Sequence, residues 1–242
     1  MGNPTPPGWG KDPVSSYIDA ARDNQLAAFA RYPVQFKRLV RVDSALRRLA
    51  ENLSQTPDWF PGVFITRAHS AFLAASSAAL CGQSAEVYAA VRLCLEHGLY
   101  ALHSAKGSGR VRVFLDRHAP GGKSAVIGEF AYKRLLGTVK SIDAKLAETV
   151  SGLYERLIDF GAHPNEKGIS GSTAFSSTEE GRKLLVSYIQ PGDSTHYKVA
   201  LLTTMQVGVT VIGLSALVFP ERFELLRLPA ELAALKAETA AW

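Results

Sequence analysis

From Val199 to Phe219 the chain runs 21 residues without a charged side chain, VALLTTMQVGVTVIGLSALVF. As a helix, this run is about 30 Å long, enough to cross a bilayer or to pass through the middle of a domain. Thr203, Thr204, Gln206, Thr210 and Ser215, with two glycines, dilute its hydrophobicity. A helix that is apolar all round suits the centre of a helical bundle, with the other elements wrapped around it. That reading is favoured; a membrane span is the alternative.

The rest of the chain keeps helical periodicity. Asp12 or Ser15 is placed to cap a first helix ending near Arg31, before Pro33. A basic helix follows, VQFKRLVRVDSALRRLAENL, with Phe36, Leu39, Val40, Leu46 and Leu49 on one broad face. A third helix, about 63–81, is built of small residues, and CGQS separates it from a fourth over 84–106. So short a connection predicts an antiparallel helix pair. RVRVFL at 110–115 alternates like a strand but is too isolated for a sheet, so a short helix is the other reading. Two further helices, about 124–137 and 139–160, are expected to divide at Gly137. Gly161 and Pro164 signal a stop. Residues 169–190 are Ser/Thr-rich and then β-like, which predicts a small hairpin turning at Glu179–Gly181. A final helix starts near Pro220 and is interrupted at Pro229. The expected fold is an all-α multi-helix bundle with a small irregular or β-hairpin insertion near 169–190. It forms a single helical domain over 13–242, behind a disordered Pro/Gly-rich lead-in at 1–12.

Composition narrows the function classes. With 47% hydrophobic and 20% charged residues, the chain is not disordered as a whole. The lead-in has no apolar stretch of a signal peptide, and Pro6 breaks the myristoylation pattern. Cys81 and Cys94 fall in apolar helical segments and read as reduced core thiols, which fits a cytoplasmic protein. The histidines do not pair with acids at zinc-ligand spacing, so no metal is expected, and no cofactor motif occurs. GGKS at 121–124 lacks the first glycine of a phosphate loop, since Arg117 stands there, and no buried strand clearly precedes it. Between Lys106 and Lys145 nine Lys/Arg stand against three Asp/Glu, more than the net charge of +5 for the whole chain. Such a segment is either a solvated basic face or a surface for nucleic acid.

Two places carry candidate chemistry. Arg92, Glu96 and His103 recur at spacings of four and seven along the 84–106 helix, with Tyr88 flanking the line and Val87, Val91, Leu95 and Leu102 opposite. The stripe is either the wall of a site or the wet face of an amphipathic helix. Arg92 and Glu96 would bind phosphate or orient a general base if they face a cleft; on the surface they form an i,i+4 pair. His163-Pro164-Asn165 stands at a helix end with Asp159 one turn earlier, where the imidazole either does acid–base work or caps exposed carbonyls.

VRLCLEHGLY, followed by a helix ending in FGAHPN, resembles the HEPN-like all-helical bacterial proteins over roughly residues 60–220. The resemblance implies a helical bundle, often dimeric. In active members it implies a metal-independent ribonuclease, whose Arg and His, separated by four to six residues, promote attack of the 2′-OH on phosphate. That spacing falls at Arg92/His97, Arg112/His118 and Arg156/His163, with Leu93, Val113 and Leu157 where the family has a polar residue. On this reading His163 is the acid–base, Arg156, Arg92 and Glu96 handle phosphate or orientation, and Asn165, Asp159 and His103 contact substrate. The implied partners are RNA or a nucleotide and a second copy of the chain, in stress or defence. A non-catalytic helical interaction or scaffold module is the competing expectation, and membrane association through 199–219 a third.

Overall fold

Helix starts fall where the sequence supplies caps and prolines. In the computed structural model, which describes residues 5–53, 59–162, 166–178 and 181–241, the Asp12 carboxylate accepts from the N–H groups of Val14 and Ser15, both at 2.9 Å. It thereby opens helix α1, Pro13–Arg31. Proline stands in the first turn of α2 (Pro33–Glu51) and of α3 (Phe60–Cys81), where its missing N–H costs nothing. The described part of the lead-in forms turns lying against α1, and the Trp9 indole N–H donates to Asp19 at 2.8 Å.

Gly82, in the left-handed region at φ 81°, ends α3, and α4 (Ser84–Ala105) turns back and packs extensively along it. RVRVFL is helical, α5 (Arg110–Leu115), and runs into a 3-10 turn over Asp116–His118. Then come α6 (Gly122–Glu129), α7 (Tyr132–Ile142) and α8 (Ala144–Leu157). The division expected at Gly137 is not there. Gly137 sits in mid-α7, because Leu135 and Val139 keep the helical spacing of buried residues on both sides of it. The chain breaks instead at Asp143, whose carboxylate accepts from Leu146 N at 2.9 Å and caps α8.

A wide π turn, Ile158–Ala162, follows α8. Its Gly161 has φ 145° and lies so close to the start of α4 that a Cβ would approach Ala85 O to 2.8 Å. Next are the short α9 (Glu166–Ser170) and the antiparallel hairpin β1 (Thr173–Thr178) and β2 (Gly181–Val186), with Thr173 paired to Val186 and Thr178 to Gly181. Helices α10 (Thr195–Val218), α11 (Pro220–Leu225) and α12 (Leu228–Ala240) complete an all-α fold with one small hairpin.

Helix α10 holds the charge-free run and sits at the centre, packed on α2, α3, α4, α8 and α12. Its most apolar 18-residue window is 78% buried in the bundle. Gly208 permits the close approach of α2 and α3, since a Cβ there would meet Val42 Cγ1 at 2.5 Å and Phe72 Cε2 at 2.7 Å. The hydroxyls of Thr204, Thr210 and Ser215 donate to carbonyls one turn back, at 2.8–2.9 Å, which makes their burial tolerable. Helix α3 also has the length and hydropathy of a membrane span, with half of its window buried.

Candidate functional site

The polar line on α4 does exist as a face, but it meets two different neighbours. At its first part Arg92 Nε donates to Glu96 Oε1 at 2.8 Å and Arg92 Nη2 to the Tyr154 hydroxyl of α8 at 2.9 Å. The Tyr154 ring stacks on Tyr132 of α7, with centroids 3.7 Å apart and planes 11° from parallel. Burial works against the Arg92 charge, but the Glu96 carboxylate and Tyr154 outweigh it and hold the guanidinium above its ordinary pKa. Arg92 is therefore a cation fixed between a carboxylate and a phenol.

His103, two turns beyond Glu96, is 1% exposed. Its Nδ1 lies 2.7 Å from Thr138 Oγ1 and its Nε2 3.1 Å from Glu129 Oε1. A carboxylate can only accept, so Nε2–H donates to Glu129; in the neutral ring Nδ1 is then an acceptor facing the threonine hydroxyl, which also lies 3.3 Å from the Arg134 carbonyl. Glu129 also accepts from Arg110 Nε at 3.0 Å and Arg134 Nη1 at 2.6 Å, while Arg110 Nη1 donates to the His103 carbonyl at 2.9 Å. Burial, reinforced by the Arg110 charge, holds the imidazole pKa below its ordinary value against the pull of Glu129. His103 is thus a neutral clasp tying α4 to the layer formed by α5, α6 and α7. It is neither on a wet face nor in the same cluster as Arg92.

Arg156 points to the other flank of α8, where its Nη1 donates to Gln206 Oε1 of α10 at 2.6 Å. It lines a groove of about 700 Å³ between α8, α10 and α12. Asp159 is exposed and paired with Lys167 Nζ at 2.6 Å. His163 and Asn165 lie outside the described residues. The three Arg/His spacings separate in space where they are described. Arg92 turns to α8, whereas His97 lies against Phe64 of α3 with centroids 6.2 Å apart. Arg112 pairs with Asp116 at 2.6 Å, and His118 is exposed. Tyr88, beside the line, stacks on Phe160, and burial pushes its phenol up to about 12 against the opposing Arg156 charge.

Sequence reasoning missed Glu129, Thr138, Tyr154 and Gln206. A signal for Glu129 was present. The segment 106–145 has three acids; Asp116 is paired locally and Asp143 caps a helix, which leaves Glu129 to serve several cations. No group of three His, Cys, Asp or Glu that could hold a metal occurs among the described residues. Cys81 and Cys94 are both buried and free, and burial pushes the Cys94 thiol up to about 12, which makes it an inert core residue. Comparison with family models, curated proteins and solved structures finds no match.

Proposed function

We propose that the chain is a non-catalytic helical module that acts by binding, in the cytoplasm and as a self-associating protein. One observation carries this reading. Each described candidate is closed into a pair with another side chain: Arg92 with Glu96 and Tyr154, His103 with Glu129, Arg156 with Gln206, and Asp159 with Lys167. A hydrolytic site needs a base and a cation free to face a common substrate atom. These groups instead join helices. Self-association is supported by the exposed apolar side chains Leu26, Phe29, Val34 and Val40 on α1 and α2.

A second reading, an RNA- or nucleotide-phosphate-directed HEPN-like protein, is supported by Arg117, Lys123, Lys133, Lys140 and Lys145. Each of the five is exposed and makes no ion pair among the described residues, so each is open to phosphates. Incubating a mixed RNA pool with wild type and with His163→Ala, without metal, separates the two. The module reading expects no cleavage by folded wild type. Cleavage that disappears in His163→Ala would replace it with the ribonuclease reading.

A further inference from the structure

Four residues of α8 recur at helical spacing along one line: Lys145, Thr149, Gly152 and Arg156. All four line the groove between α8, α10 and α12. Leu146, Leu153 and Val209 give it apolar surface, with Thr149, Thr210 and Thr239 between them, and its volume of about 700 Å³ falls in the range of small-molecule sites. Cations stand at both ends, with Lys145 about 16 Å along the helix from Arg156 at 1.5 Å per residue. Lys236 of α12 adds a third positive charge. The acids of the lining lie at the Lys145 end: the Asp143 carboxylate is engaged in capping α8, and Glu148 is less than a turn from Lys145. An anion is therefore better placed at the Arg156 end. There Arg156 bonds Gln206 through the amide oxygen, which leaves the Gln206 NH₂ group as a donor beside the guanidinium.

Gly152 adds to the shape of this groove, although it shares its open mid-helix setting with Gly137 of α7. It is exposed in mid-helix, where glycine destabilises a helix relative to alanine, and a Cβ built on it has nothing within 4 Å. Packing within the chain does not require a glycine here. Its absent side chain leaves the middle of the groove open between the apolar surface and the cationic end.

We propose that this groove binds a small amphipathic anion, its apolar body over Gly152, Leu153 and Val209 and its carboxylate or phosphate head on Arg156 and Gln206. The inference rests on the binding-module reading and names the ligand chemistry for it. Calorimetric titration of the full chain with octanoate, octyl phosphate and octanol tests it. Both anions bind, octanol binds at least tenfold more weakly, and the ratio of the two anions identifies the head group. Gly152→Leu fills the groove and abolishes binding while keeping the wild-type unfolding temperature or raising it. Arg156→Gln weakens both anions at least tenfold and leaves octanol unchanged. Lys145→Gln has a smaller effect than Arg156→Gln. Failure of both anions to bind wild type at millimolar concentration overturns the proposal, as does binding that survives both Gly152→Leu and Arg156→Gln. RNA cleavage by wild type would instead overturn the module reading itself, so the two failures are distinguishable.

Discussion

Arg92 and His103 stand on one line of a single helix, yet their surroundings give them different work. Around Arg92 the contact with α8 runs through the Tyr154 hydroxyl; the Arg92 and Glu96 side chains keep 21% and 32% of their exposure, and water competes for both charges. Over His103 the layer α5–α7 closes, leaving its side chain 2% exposed and Glu129 21%. The i,i+4 ion pair is therefore a weak local contact, while the imidazole clasp secures a whole layer on the bundle. What differs is the element packed above, and the worth of a polar contact follows from how costly it is to leave unmade.

Glu129→Ala breaks this comparison most severely if it is wrong. The variant leaves His103, Arg110 and Arg134 without their common acceptor and is expected to lose about 2 kcal/mol of stability in urea denaturation, the scale for leaving a buried N–H such as that of His103 unsatisfied. A loss below about 1 kcal/mol would put Glu129 on a par with Glu96. The next effect is of pH. The folded-state pKa of His103 lies below its unfolded value of about 6.5, so the unfolded chain binds protons first as pH falls. The clasp's contribution is complete above that value and is lost as pH drops through it toward the lower folded value. His97, held down by burial and by Arg67, acts in the same direction. Stability measured from pH 7.5 to 5 should therefore decline, and His103→Gln should start less stable but decline more shallowly. An unchanged slope would assign the pH effect elsewhere.

Smaller effects sharpen the other side. A double-mutant cycle with Arg92→Met and Glu96→Gln should give a coupling of about 0.5 kcal/mol that shrinks in high salt, as for partly exposed helix pairs. Coupling above about 2 kcal/mol would make this pair a second clasp. Smallest of all is Phe175→Ser on β1, where the ring is 77% exposed. A change within about 0.5 kcal/mol is expected, since surface substitutions away from packed features seldom do more.

Much of the fold was legible because it depends on local chemistry. Asp12 and Gly82 bound their helices as caps, the charge-free run became the central helix, and the hairpin formed between 173 and 186. Less legible was the α7–α8 boundary, where a glycine drew attention from the capping aspartate six residues later. Only part of the candidate site could be read. The stripe on α4 is real, but periodicity gives a direction around one helix and is silent on what lies above it. Tyr154 is 58 residues from Glu96, and Glu129 is 26 from His103.

The sequence by itself determined the all-α class and the helix ends at Asp12 and Gly82, because backbone preference and hydrophobic period act within a few residues; for residues 199–219 it favoured a central helix beside a membrane span. Tertiary structure alone decided that His103 is a buried clasp, that Arg92 and Arg156 face opposite flanks of α8, and that α8, α10 and α12 leave a groove. These depend on which distant helices pack together, and burial sets the protonation and the energetic weight of every polar group between them.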